Sequence, residues 1–229
     1  MSDIAPIAMP GIHQRFWKFF EKQSIESNAQ ILDVGAGYGA LTKKLHESGF
    51  NVSACDMSPE IFKYDLVECR KVDVTEPFPY PDNSFDIIIA IEVSEHILDH
   101  EMLFKESKRL LKPGGKFFIT TPNILSLKSR IRFLFSGFFY SFRPLDMEKH
   151  DGMQHVASLT FDQYDYLGQK YGFKPLVLDI DKKQSTSFWL MIIFIPFLWL
   201  YTKMKKVSFV HNQAKLLLGR LLMMTFNKP

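Results

Sequence analysis

Glu92, Glu95 and His96 stand at i, i+3 and i+4 close behind the apolar run 84–90, a spacing that one helical turn would gather on a single face. Two carboxylates and an imidazole so close repel one another, or shift in pKa, unless a cation or a substrate holds them. A further ligand would complete a cation site; His155 is the candidate and His150 the second choice. Mixed oxygen and nitrogen donors suit Mg²⁺, Mn²⁺, Fe²⁺ or Zn²⁺ without choosing between them. The chemistry this points to is activation of a hydroxyl, because a bound cation favours its alkoxide form and fixes its direction.

A second constellation lies upstream. Asp33, Gly35, Gly37 and Gly39 follow the apolar Ile31 and Leu32, and helix formers come next. That order reads as a buried strand, a turn stripped of side chains and a helix start facing a ligand, since glycine tolerates positive φ and lets a ligand approach the backbone. Asp33, two places before the first glycine, can take an ammonium or hydroxyl group of that ligand. Gly35-x-Gly37-x-x-Ala40 also satisfies the dinucleotide fingerprint, which alone is a weak signal. Asp33 argues against it by setting a carboxylate where a pyrophosphate must approach. Asp56, about 20 residues on, ends the run 51–55, where a parallel sheet brings the next strand tip beside the ligand. It can accept hydrogen bonds from two ribose hydroxyls, or serve as a turn residue before Ser58 and Pro59.

The elements that must position these residues alternate between strands and helices. A leading amphipathic helix spans 11–24, with Ile12, Phe16, Phe19 and Phe20 at helical spacing. Strands are expected at 31–34, 51–55, 72–74 and 84–90, after the Pro113-Gly114-Gly115 turn up to Asn123, at 173–180 and at 219–229. Helices are expected up to residue 48 and over 164–171. The glycine motif, Asp56, the 72–74 strand and the string 110–123 together resemble the class I S-adenosylmethionine (SAM) methyltransferases. The resemblance covers most of the chain except two apolar segments. It implies an α/β, Rossmann-like, seven-stranded, mostly parallel sheet with the last strand antiparallel and helices on both faces, as a single domain over 1–229. It also implies donor contacts from Asp33, Gly35, Ala36 and Gly37, from Asp56 and Met57, from Asp73 (toward the adenine amino group) and Val74, and from Ile91.

The Glu-x-x-Glu-His turn with a distant histidine is similar to the divalent-metal site of small-RNA 2′-O-methyltransferases. The turn alone is similar to one in the ubiquinone-biosynthesis O-methyltransferases. The first likeness implies that Glu92, Glu95, His96 and His155 bind one cation, Mg²⁺ or another divalent ion, with His96, Glu95 and His155 as the catalytic set. In other relatives a Glu-His pair works without metal, and there the histidine serves as base or simply packs. The implied activity is SAM-dependent O-methylation of a hydroxyl on an apolar, lipid-linked or quinone-like small molecule. Alternatives are RNA 2′-O-methylation, NAD(P)-dependent oxidoreduction and non-catalytic SAM binding at a membrane. A formal charge of +3, with no appended RNA-binding module, ranks nucleic acid below a small or lipid-like acceptor.

A length of 229 residues suffices for one α/β domain plus an elaboration. Cys55 and Cys69 give neither a disulfide framework nor zinc spacing, which fits a reducing cytoplasm. Residues 1–10 lack the basic start and long apolar core of a secretory signal. The first apolar segment, 124–142, carries Ile124, Leu127, Ile131, Phe135 and Phe138 at helical spacing and suits a substrate cover. The second is the insertion 185–206, whose run 188–201 is apolar except for a tyrosine hydroxyl and contains Pro196. At that length it is short for a membrane span and suits an interfacial segment. Lysines flank it, and Trp189, Trp199 and Tyr201 suit a lipid interface, so peripheral contact with the inner face of a membrane is expected.

Overall fold

Continuous apolar runs make the middle of the sheet, as strands covered on both faces require. In the computed structural model, which describes residues 4–23, 25–149 and 151–229, the chain opens with α1 (Ile12–Phe20). There follow β1 (Gln30–Val34), α2 (Ala40–Glu47), β2 (Asn51–Asp56), β3 (Cys69–Lys71) and β4 (Phe85–Ile91). The second half contains α3 (Glu101–Leu110), β5 (Leu111–Pro122), α4 (Leu127–Ser136), α5 (Phe161–Lys170), β6 (Val177–Ile180), α6 (Ser185–Lys205), α7 (Ala214–Leu218) and β7 (Leu221–Asn227). The strands form one sheet in the order β3-β2-β1-β4-β5-β7-β6. All pairings are parallel except those of β7, which runs antiparallel to both β5 and β6. An antiparallel strand wedged there separates this sheet from the all-parallel order of dinucleotide-binding folds.

Alternation along the strands divides the core in two. Leu32, Val34, Ile88 and Ala90 face one layer, with Phe104 and Tyr164 from α3 and α5. Ile31, Ile87 and Ile89 face the other, where Ile12, Phe16 and Phe20 of α1 meet Phe118. Each of those α1 side chains contributes about 1.5–3 kcal/mol by leaving water. The order reverses between β1 and its two neighbours β2 and β4, so their carboxyl ends open a crevice at one edge of the sheet.

Several boundaries differ from the sequence expectation. The short third strand is 69–71, not 72–74. Val72 N–H still bonds Asp56 O at 2.9 Å, but Asp73 Oδ1 then accepts from Thr75 N–H (2.9 Å) and Thr75 Oγ1 (2.7 Å), closing a turn that ends the strand. Pairing in the sixth strand begins only at Val177, opposite Thr225; after Gly172 (φ +82) Phe173 tucks into the core instead. The leading helix stops at Phe20, and Ser24 lies outside the described residues. The apolar insertion forms one continuous helix with Pro196 inside it, longer than its strictly apolar run.

Candidate active site

At the tip of β1 the chain turns through Gly35 (φ +69) and Gly37 (φ +53) into α2. A Cβ on Gly35 would sit 2.5 Å from Val93 Cγ2, so the turn is closed against the segment that follows β4. The N–H groups of Gly35 and Ala36 donate to Cys55 O (2.9 and 3.1 Å), and Gly37 N–H donates to Asp56 Oδ2 at 2.8 Å. Asp56 Oδ1 accepts from Ser58 N–H at 2.9 Å. Asp56 therefore ties the glycine turn down, as its turn reading required, while a carboxylate's remaining lone pairs stay free for a ligand. Asp33 is buried beneath the turn, and Thr42 Oγ1 donates to its Oδ2 at 2.6 Å. Burial, with the Asp56 charge adding to it, pushes the Asp33 carboxyl up to about 7.

β4 ends at Ile91, and Glu92 adopts φ +54, a conformation that costs a residue with a side chain. Its N–H bonds Thr120 O at 3.1 Å, and its Oε1 accepts from Thr120 Oγ1 at 3.1 Å. A 3₁₀ turn, Ser94–His96, comes next. Glu92 thus precedes the turn instead of sharing one helical face with Glu95 and His96, which corrects the sequence expectation. The cause is backbone: the left-handed residue reorients the chain before the turn begins. Glu95 is fully buried, with Oε2 accepting from Thr121 Oγ1 at 3.2 Å. The Glu92 and Glu95 carboxyls are hydrogen-bonded to each other, and burial plus the Glu92 charge hold Glu95 well above the carboxylate range. Among the described residues Glu95 Oε1 has no fixed donor, and a proton shared with Glu92, or a cation, would satisfy it.

The distant histidine arrives on an extended strap. Val156 N–H donates to Glu95 O at 2.8 Å, and His96 Nδ1 lies 3.0 Å from Gln154 O. A carbonyl only accepts, so His96 carries its proton on Nδ1 and keeps the Nε2 lone pair free. His155, between those two anchors, places its ring edge-on to His96 with centroids 4.9 Å apart. Its Nδ1 is buried without a partner among the described residues, and burial, with His96 alongside, lowers its pKa to about 4. Ligand atoms of Glu95, His96 and His155 all lie within 4.8 Å of one another. Glu92 stands outside that group, and His150 lies outside the described residues.

One cavity of about 790 Å³ connects the two halves. Asp33, Gly35, Ala36, Gly37, Asp56, Met57, Asp73, Val74 and Ile91 line one end, and Glu92, His96 and His155 line the other. Glu95 sits beneath the wall. Sequence reasoning missed Ile7, Met9 and His13, of which Ile7 lies over Gly37, and it missed Arg143 and Asp151, which also line the cavity. The basic and aromatic residues Arg132 and Tyr140, inside the expected cover segment, also reach the cavity.

Residues 32–119 match the family described as "Methyltransferase domain". The ubiquinone biosynthesis O-methyltransferase of Xanthomonas oryzae pv. oryzae is 34% identical over 106 residues, 42% of this chain and 44% of that protein. Its namesake from Coxiella burnetii is 30% identical over 153 residues, 62% of this chain and 64% of that protein. The match spans less than two thirds of either relative. Among solved structures, a SAM-dependent methyltransferase from Archaeoglobus fulgidus superposes with a TM-score of 0.63 at 14% identity, over 95% of this chain and 93% of that one. Phosphoethanolamine N-methyltransferase 2 of Haemonchus contortus, solved with SAM, gives 0.58 at 18% identity, over 95% of this chain and 53% of that one. The sheet order with its inverted β7 and the glycine turn agree with these likenesses: the chain has the fold of the class I SAM-dependent methyltransferases and matches their methyltransferase domain over residues 32–119.

Proposed function

We propose that the protein transfers the methyl group of SAM to a hydroxyl oxygen of an apolar, lipid-linked or quinone-like small molecule. The observation that carries this is the single cavity joining the Asp33–Gly37 end to His96 and His155. At one end, Asp33 would meet the donor's ammonium, with Gly35, Ala36 and Gly37 giving backbone access. Asp56 and Met57 would hold the ribose, and Asp73, Val74 and Ile91 would enclose the adenine and the methyl-bearing end. A sulfonium methyl is already activated, so the chain must supply alignment and a proton acceptor. His96 suits the second task, because Gln154 O holds its Nδ1–H and leaves Nε2 able to take the hydroxyl proton. As that proton moves to Nε2, the new O–C bond forms and the C–S bond breaks, leaving S-adenosylhomocysteine.

Glu95, His96 and His155 also fit a divalent cation, since Glu95 Oε1 and His155 Nδ1 are buried atoms able to offer lone pairs, without hydrogen-bond partners among the described residues. A cation held there would lower the pKa of the acceptor hydroxyl and fix its direction. Glu92, bonded to Thr120 and Glu95, would then orient Glu95. The apolar walls contributed by Ile97 and Met153 support an apolar acceptor, as do relatives named for ubiquinone biosynthesis. The free Cys55 and Cys69 suit a reducing cytoplasm.

The test is calorimetric titration with S-adenosylhomocysteine, with and without Mg²⁺, Mn²⁺ or Zn²⁺, beside NAD(P)H. Micromolar binding of the homocysteine product without dinucleotide binding is expected, followed by turnover on hydroxylated apolar acceptors. Cation binding lost in Glu95→Ala or His155→Ala would support the cation mechanism; no cation binding would leave His96 as the base. Dinucleotide binding alone would sink the proposal.

A further inference from the structure

Burial along α6 has a clear helical period. Ser187, Leu190, Met191, Ile195, Leu198 and Thr202 turn toward the domain, and the residues between them turn outward. Solvation predicts a polar outer face for such a helix. Here the outer face is apolar: Trp189 and Phe197 are each 66% exposed, with Ile193 and Leu200 on the same stripe. No charged residue occurs between Lys183 and Lys203. α4 packs beside α6, where Lys128 N–H meets Ser187 Oγ at 3.3 Å, and it adds Leu134 (77% exposed) and Phe135 (84%). Two neighbouring helices thus present one apolar surface of a size that soluble proteins seldom leave open. An open apolar hollow of about 550 Å³ lies between α6 and Phe209.

The connections at both ends of α6 determine how that surface can meet lipid. At about 1.5 Å per residue α6 is roughly 31 Å long, near the thickness of a bilayer core. Both ends, however, are tied to the same domain. Gln184 N–H donates to Leu218 O at 2.8 Å, and the returning chain is gripped by Arg130, whose guanidinium meets His211 O and Asn212 Oδ1. Were α6 to span a bilayer, the return from Lys206 to α7 would recross the hydrocarbon as irregular chain with unpaired N–H and C=O groups, which lipid does not tolerate. The helix can only lie along the surface. Charge and ring chemistry name the surface: Lys182 and Lys183 precede α6, Lys203, Lys205 and Lys206 follow the apolar stretch, and Trp189, Trp199 and Tyr201 project among them.

We infer that α6, with α4 beside it, docks flat on an anionic lipid bilayer. The docking does not depend on the methyl-transfer reading. A consequence that does rest on it is that Arg132 and Tyr140, which join α4 to the cavity, place the acceptor mouth beside the membrane.

Vesicle flotation of the full chain tests this, using phosphatidylcholine vesicles with and without phosphatidylglycerol. Binding to the anionic vesicles is expected, weakening as salt rises. Trp189→Ser with Phe197→Ser and Leu200→Ser should reduce it by about tenfold or more, since each substitution removes a large apolar side chain from the interface. Lys203→Ala with Lys205→Ala and Lys206→Ala should remove the preference for anionic lipid. A cooperative thermal melt checks that each variant is folded. Undiminished flotation of the serine variant would overturn the inference. So would absence of flotation in the unaltered chain, and a dimer in sedimentation that the serine variant abolishes would then assign the face to a second copy.

Discussion

Asp33→Asn should make the ligand-free protein more stable while weakening its donor site, a combination that no purely structural role produces. Asp33 is buried, with the Thr42 hydroxyl as its side-chain partner, and burial raises it from 3.8 to about 7. A carboxyl whose folded pKa is raised contributes stability that is complete below its unfolded value and is lost as pH rises through the folded one. Above about pH 7 the buried charge therefore carries its full penalty, roughly three pKa units at about 1.4 kcal/mol each, or about 4 kcal/mol. The amide is nearly isosteric and can still accept from Thr42, but its unmatched N–H groups return about 1–2 kcal/mol of that gain. A net gain of about 2–3 kcal/mol corresponds to a Tm rise of about 4–10 °C near pH 8, shrinking toward zero near pH 5. S-adenosylhomocysteine should behave in the opposite sense. Its ammonium needs the carboxylate, so below about pH 7 binding to the unaltered chain must expel a proton and weakens by up to about tenfold per pH unit. The variant should bind more weakly at neutral pH and lose that dependence. Thermal melts and calorimetric titrations across this range check both halves. A variant less stable near pH 8, or one that keeps the pH-dependent affinity, would refute the reasoning.

Gly35→Ala should weaken S-adenosylhomocysteine binding by at least about tenfold, because positive φ costs about 1–2 kcal/mol and the new Cβ meets Val93 Cγ2 at 2.5 Å; an unchanged calorimetric Kd would mean that the turn does not touch the donor. His96→Ala should lower turnover about 10²- to 10⁴-fold with donor affinity little changed, and an equal loss in both would show that the ring supports the donor instead. EDTA treatment should lower turnover, with Mg²⁺, Mn²⁺ or Zn²⁺ restoring it in the unaltered chain but not in Glu95→Gln; activity indifferent to EDTA would leave His96 as base alone.

The glycine turn was the more legible part of the sequence because its signals are local. Positive φ at Gly35 and Gly37 demands glycine, and apolar runs of strand length announce buried parallel strands, so Asp33 and Asp56 fell at strand tips as expected. The acceptor end depends on contacts distant in sequence. Spacing alone left His155 and His150 both open. His155 is placed by two hydrogen bonds, from His96 to Gln154 O and from Val156 to Glu95 O, which no periodicity reveals. Ile7, Met9 and His13 were invisible for a related reason, since the N-terminal arm reaches the cavity without a pattern of its own. The insertion 185–206 matches α6 in its bounds, but its strictly apolar run is shorter than the helix, which the Ser and Thr residues before that run and the Lys residues after it continue.

Glu92 links the two ends physically. Its left-handed backbone is held by Thr120, which receives the Glu92 N–H through its carbonyl and returns a hydrogen bond through its hydroxyl. Were Glu92 to relax into extended geometry, β4 would run on, and Val93 would leave the place where it blocks any side chain at Gly35. The Ser94–His96 turn would shift with it, carrying Glu95 away from Thr121 and His96 away from the strap. The strain at one residue thus places the wall of the donor turn and the His96 ring on consecutive steps of the same backbone. For the proposed methyl transfer that coupling would matter, because the methyl must lie in line between sulfur and oxygen, and a misplacement of about 1 Å can cost about 10²-fold in rate. A strained junction held by the neighbouring strand β5 fixes that alignment better than two independent loops could.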